Sequence, residues 1–180
     1  SDVIFIAGFK GMVGSAIKRS LEKRNYKNLL TPSKDDLDLL DFNSVEKWFK
    51  KNKPALVILA AAKVGGIEAN NRYPGDFILE NLKIQTNVIE NAWRSNTKRF
   101  LFLGSSCIYP KFSEQPIKEE YLLGGALENT NEPYAIAKIA GIKLCSALKK
   151  QYDFDAISLM PTNLYGPGDN YHEKNSHVMP

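Results

Sequence analysis

Glu132-Pro133-Tyr134-Ala135-Ile136-Ala137-Lys138-Ile139-Ala140-Gly141 is the stretch of this chain whose residue types and spacing can do chemistry. Pro133 suits a first helical turn, where its missing N–H is no loss. Tyr134 and Lys138 then project from one helix face. A phenol ordinarily titrates near 10, and an ammonium a few ångströms away favours the phenolate and is expected to lower that value by about 1–3 units. The pair makes Tyr134 a candidate general acid, with Lys138 tuning it. The same spacing also suits an ordinary amphipathic helix that carries a Tyr and a Lys, so its weight depends on the rest of the chain.

Two further stretches carry candidate chemistry. Gly8-Phe9-Lys10-Gly11-Met12-Val13-Gly14 places glycines at spacings of three and three between an apolar run and a helical pattern. Gly8 permits a tight turn, Gly11 lets backbone N–H groups approach a pyrophosphate, and Gly14 lets helix and strand pack closely. The following helix N-terminus supplies the positive end for phosphates. Gly104-Ser105-Ser106-Cys107-Ile108-Tyr109-Pro110 follows the apolar run 100–103. Ser105 can hydrogen-bond a carbonyl beside Tyr134, and Cys107 points to the same side if the chain stays extended. A Cys in that place is either a reactive thiol or a small buried hydrophobe. Cys145, lying among Ile142, Leu144 and Leu148, reads as the latter.

The elements that must position these groups alternate. Residues 3–7, 29–31, 56–59, 100–103 and 156–160 read as short buried strands. Residues 15–23, 45–51 (started by residues 41–44) and 70–95 (broken near Pro74) read as helices. Ile78, Leu82, Ile89 and Trp93 give the long helix one apolar stripe for packing, against the sheet or a partner subunit. Strand-helix alternation with a glycine turn after the first strand predicts an α/β fold, a Rossmann-type doubly wound parallel sheet with helices on both faces. At the end of the second strand, Pro32-Ser33-Lys34 stands where an NAD site places an acidic residue. Lys10 and Lys34 together suit a ribose 2′-phosphate, which predicts NADP(H); the alternative is that Lys34 is a surface lysine ahead of Asp35-Asp36.

The bulk properties bound the function. With 180 residues the chain can hold one domain with a sizeable core. A net charge of +4 is too mild and dispersed to predict nucleic-acid binding. The cluster at residues 50–53 and the pair Lys149-Lys150 read as solvated helix ends. The apolar run 55–62 is far short of a membrane span. No basic-then-apolar leader opens the chain, and two cysteines make no disulfide framework, so a cytoplasmic protein is expected. Two histidines and no Cys-x-x-Cys predict no metal site.

Taken together, a glycine turn, a serine after the fourth strand and Tyr-x-x-x-Lys resemble the extended short-chain dehydrogenase/reductase family. Residues 11–17, 60–67, 103–111, 131–145 and 160–167 carry the resemblance, which spans essentially the whole chain. Lys10 departs from it, standing where Arg is expected; it keeps the charge but not the fork. The resemblance implies an NADPH-dependent homodimer, joined through the long helices, that acts on a nucleotide sugar. It points to GDP-4-keto-6-deoxy-D-mannose, epimerised at C3 and C5 and reduced at C4. It makes Ser105, Tyr134 and Lys138 the reductase triad and Cys107 with His177 the epimerising pair. His172 is the rival histidine, set aside because residues 175–178 match the family. Gly8, Lys10, Gly11, Met12, Val13, Gly14, Lys34, Ala61, Ala62, Leu103, Pro161 and Leu164 would join Tyr134 and Lys138 around the cofactor. Val64, Gly65, Ser106, Asn163 and His177 would meet the substrate.

The proposed chemistry suits the residues. Protons beside a ketone are acidic, and inversion needs a base on one face and an acid on the other. A Cys thiolate and an imidazolium can fill those roles if their pKa values are drawn toward neutrality. Rival readings are another nucleotide-sugar epimerase or reductase, or a nonenzymatic NADP-binding module. A dehydratase would want an acidic residue after the serine, and Ser106-Cys107 offers none. Family members run on for about 100–200 residues more, the size of a usual domain. The expected division is therefore an NADP-binding domain over 1–167 and the start of a substrate-binding portion over 168–180.

Overall fold

The computed structural model of the chain describes residues 2–169. Five parallel strands, β1 (Ile4–Ala7), β2 (Leu29–Leu30), β3 (Leu56–Leu59), β4 (Arg99–Leu103) and β5 (Ala156–Leu159), form one sheet in the order β2-β1-β3-β4-β5. Ile4 pairs with Leu56, Val57 with Phe100 and Phe100 with Ala156. This register places every strand's carboxyl end on one edge. The order reverses direction at β1/β3, where a crevice opens outside the strand ends.

The helices are α1 (Met12–Lys23), α2 (Phe42–Asn52), α3 (Ile67–Arg72), α4 (Pro74–Arg94) and α5 (Glu132–Tyr152). Alternating strand residues Phe5, Ala7, Val57, Leu59, Phe100 and Phe102 face the main core, which holds Val45 and Phe49 of α2, Val88 and Ala92 of α4, and Cys145 and Leu148 of α5. The Phe5 ring lies 4.4 Å from Trp48 and 5.8 Å from Phe49, centroid to centroid. Asp41 caps α2, its carboxylate accepting from the N–H groups of Asn43 and Ser44. α1 packs against β1.

Two expectations are corrected. α1 begins at Met12, not at residue 15, because Gly11 adopts the extended N-cap conformation and the second half of the glycine turn is already helical. The buried face of α4 is also rotated from the expected stripe. It carries Phe77, Asn81, Gln85, Val88 and Ala92, whereas Ile78, Leu82 and Trp93 are only half-buried and Ile89 alone of the predicted four is fully buried. Apolar periodicity misplaced the face because buried amides on it are paired with backbone, which removes most of their desolvation cost. The expected break falls at Tyr73, between α3 and α4.

Candidate functional site

A cavity of about 700 Å³ opens at the carboxyl edge of the sheet. Its floor is the glycine turn. Gly8 has φ +85°, in the region that favours glycine, and a Cβ there would lie 2.6 Å from the Ala61 nitrogen. A Cβ on Gly14 would lie 2.1 Å from the Gly8 carbonyl oxygen, so α1 could not begin so close to β1 with any side chain there. Opposite the turn, Ala60 to Val64 leave the end of β3 and form a second wall. Asn81 fixes this wall: its Oδ1 accepts from the Lys63 N–H at 3.0 Å and its Nδ2 donates to the Lys63 carbonyl at 2.9 Å. Asn70 Nδ2 donates to the carbonyls of Gly65 and Gly66 at 2.8 and 3.0 Å. Lys63 pairs with Glu80 and Asp76, and its ammonium is held above the usual lysine range chiefly by the hydrogen bond to Glu80.

At one end of the cavity Lys10 and Lys34 stand with Ser33. Ser33 and Asp36 form a reciprocal cap: Asp36 Oδ2 accepts from Ser33 Oγ at 2.7 Å and from Ser33 N–H at 3.0 Å, while Ser33 Oγ accepts from Asp36 N–H at 3.4 Å. These bonds, led by the Ser33 hydroxyl, hold the Asp36 carboxyl below its ordinary value, and the charge of Lys10 adds to them. The cap fixes the turn that presents Lys34. Asp38 also lines the cavity, with one carboxylate oxygen taken by the Leu40 N–H at 3.0 Å.

Ser105, Tyr134 and Lys138 meet at the other end. Lys138 is buried, donates to the Leu103 carbonyl at 2.8 Å, and lies 4.9 Å from the Phe102 ring centroid and 5.7 Å from that of Tyr134. Burial pushes its ammonium down to about 8, while the negative charge of a Cys107 thiolate works the other way. The Tyr134 phenol is pushed up, first by burial and then by Cys107, with a hydrogen bond to Ser105 opposing both. The expected lowering by Lys138 is therefore overturned. Desolvation exceeds the lysine's influence, and an ammonium that deprotonates at about 8 is neutral before the phenol ionises.

Cys107 also departs from expectation. The chain does not stay extended after Ser105 but turns into a 3₁₀ segment, Ser106–Ile108, with Ser105 as its cap. That turn brings the Cys107 thiol to Ser105 Oγ at 3.2 Å. Cys107 lies outside the cavity lining, and burial raises its thiol above the ordinary value, against the opposing pull of Ser105 and Lys138. The shift is thus away from neutrality, opposite to the one epimerisation by a thiolate was expected to need.

The cavity gathers all the residues expected around the cofactor, from Gly8 through Leu164, together with Val64, Ser106 and Asn163. Gly65 lies outside the lining, packed where a Cβ would sit 3.0 Å from the Phe77 ring. His177 and its rival His172 lie outside the described residues. The sequence reading missed Asn70, Asn81, Gln85, Asp38 and the Ser33–Asp36 cap; a Ser-x-x-Asp spacing and amides spaced four apart on an otherwise apolar helix face were the signals available. Among the described residues no cluster of His, Cys, Asp and Glu can hold a metal ion, and no helix is long and apolar enough to cross a membrane.

Comparison with known proteins places this geometry. GDP-L-fucose synthase 1 of Arabidopsis thaliana is 60% identical over 177 residues, covering 98% of this chain and 55% of that protein. GDP-L-fucose synthase of Escherichia coli (strain K12) is 57% identical, with 98% and 55% covered. Among solved structures, a GDP-mannoheptose C4 reductase from Campylobacter jejuni with NADP bound superposes with a TM-score of 0.94 at 41% identity, over 99% of this chain and 53% of that one. The chain thus spans about half the length of the curated relatives it matches. The model of the NAD dependent epimerase/dehydratase family matches residues 4–180. The parallel sheet, the glycine turn beneath the cavity and that match give one answer: the chain belongs to the NAD dependent epimerase/dehydratase family.

Proposed function

We propose that the chain is the cofactor-binding portion of an NADP(H)-dependent enzyme that epimerises C3 and C5 of GDP-4-keto-6-deoxy-D-mannose and reduces C4, giving GDP-L-fucose. The observation that carries this reading is the single cavity that joins Lys10 and Lys34 at one end to Ser105, Tyr134 and Lys138 at the other across the glycine turn. The relatives named GDP-L-fucose synthase and the NADP-bound reductase support it.

Lys10 and Lys34 would hold a 2′-phosphate, and the N–H groups at the start of α1 would hold the pyrophosphate. Ala61, Ala62, Leu103, Pro161 and Leu164 would pack along the dinucleotide. When bound, the cofactor supplies hydride for the C4 carbonyl. Ser105 and Tyr134 hydrogen-bond that oxygen, stabilising the enolate during epimerisation, and Tyr134 gives it a proton as reduction occurs. Lys138, charged below about 8, supports the phenolate that forms. Cys107 and His177 move the C3 and C5 protons, while Val64, Ser106 and Asn163 line the substrate side. The working enzyme is a homodimer through α4 and α5, which leave Leu79 and Ile136 exposed, and two free cysteines suit a cytoplasmic, reducing setting.

The test is incubation of the full-length protein with NADPH and GDP-4-keto-6-deoxymannose, with products separated by chromatography. GDP-L-fucose is expected. A sugar reduced at C4 with C3 and C5 unchanged would instead favour a simple C4 reductase, and no turnover would overturn both.

A further inference from the structure

Gln85 lies on α4, 3% exposed, and its Nε2 donates to the Ala137 carbonyl of α5 at 2.6 Å, across 52 residues of sequence. Ala137 sits between Tyr134 and Lys138. Its carbonyl is in mid-helix, where the N–H four residues on already supplies a partner, so the bond is not needed to satisfy the backbone. Gln85 Oε1, for its part, has no partner among the described residues. A buried carbonyl left unpaired is destabilising, and an apolar side chain of the same length would avoid the loss.

The surroundings show what the bond holds. A Cβ on Gly141 would lie 2.5 Å from the Phe102 ring and 3.0 Å from Gln85 Cδ, so α5 is seated against β4 and α4 with no slack. Phe102 in turn lies beneath the Lys138 ammonium, 4.9 Å from it. Further toward the start of α4, Phe77 meets Tyr134 edge to face at 6.5 Å. Gln85 is thus packed against α5 at Gly141, beside Phe102 and one turn from Lys138, while Phe77 of the same helix as Gln85 meets Tyr134.

We propose that Gln85 is a positioning residue for ketone reduction, pinning the height and rotation of α5 so that Tyr134 and Lys138 both face Ser105. The proposal rests on the reading of Tyr134 as proton donor, and its test separates the two. In the full-length protein, Gln85→Met keeps the length and removes the polar atoms. Gln85→Thr is too short to reach Ala137 but can return its hydroxyl to its own helix. Both should fold, and Gln85→Met should match or exceed the parental melting temperature. Both should reduce the keto sugar about tenfold more slowly, since small misplacements of reacting groups are costly, with NADPH affinity unchanged. The alkaline limb of kcat/KM should also move, because Lys138 changes its surroundings. In a Tyr134→Phe background, Gln85→Met should cause no further loss, as expected if it acts by positioning the Tyr134–Lys138 pair, whose proton transfer that background already lacks. Parental kcat and pH profile in whichever variant folds would overturn the proposal, as would a rate loss matched by equal loss of NADPH binding. Parental activity in Tyr134→Phe alone would instead bring down the Tyr134 reading itself.

Discussion

Tyr134 stays protonated across the working pH range because burial raises its phenol. That suits a proton donor better than a base. Tyr134→Phe should cost about 10²–10⁴ in reduction rate while NADPH titrates as in the parent; a near-parental rate would refute the assigned role. The pH dependence belongs to Lys138. Its ammonium is intact below about 8 and lost above it, so kcat/KM for reduction should be level in the acid range and fall as pH rises through about 8. The other half of the proposed chemistry is assigned to Cys107. In D2O the parent should place deuterium at C3 and C5, faster as pH rises, because the buried thiol ionises late. Cys107→Ser replaces it with a far weaker base, so labelling should collapse while slow direct reduction survives, read by mass spectrometry and NMR. Undiminished labelling would make Cys107 only a small buried hydrophobe.

Helices and turns set where these groups stand. We propose that the turn after β2 carries the cofactor preference, since the Ser33–Asp36 cap holds Lys34 at the cavity wall. Lys34→Asp should weaken NADP(H) binding about tenfold to a hundredfold, the worth of a charged hydrogen bond, and leave NAD(H) unchanged or tighter. Fluorescence titration with both cofactors decides it; equal affinities in the parent would remove the argument. α4 contributes through amides rather than through its apolar stripe. Asn81 holds the loop after β3 by both backbone groups of Lys63, and Asn87 ties α4 to the Leu39 carbonyl at 2.9 Å beside the cavity wall. Residues that read as breaks in a hydrophobic pattern are therefore the ones that connect the helix to the site.

Across the molecule, α4 and α5 pack side by side and keep apolar groups outward, Leu79 at 53% exposure and Ile136 at 42%. A dimer through this face would cover them. The full-length protein should sediment as a dimer, and Leu79→Lys, which sets a charge in the covered face, should shift it to monomer without changing the far-UV circular dichroism. Parental protein that sediments as a monomer would rule the arrangement out.

The chain alone makes the strands, the glycine turn and the Tyr-x-x-x-Lys helix legible, because each is written in a local period or in a backbone path that only glycine tolerates. It also placed Lys10, Lys34, Ser105, Tyr134 and Lys138 in one cavity, since strand ends of a parallel sheet share an edge. How those groups titrate is set by the packing around them. Desolvation depends on what packs around a side chain, and the same Tyr134–Lys138 spacing that predicts a lowered phenol gives a raised one once both are buried. The tertiary structure likewise turned Cys107 back onto Ser105 and rotated the buried face of α4 toward Asn81 and Gln85. The buried amides of Asn81 and Gln85 are each received by a backbone group 18 or 52 residues away, and no local pattern encodes that distance.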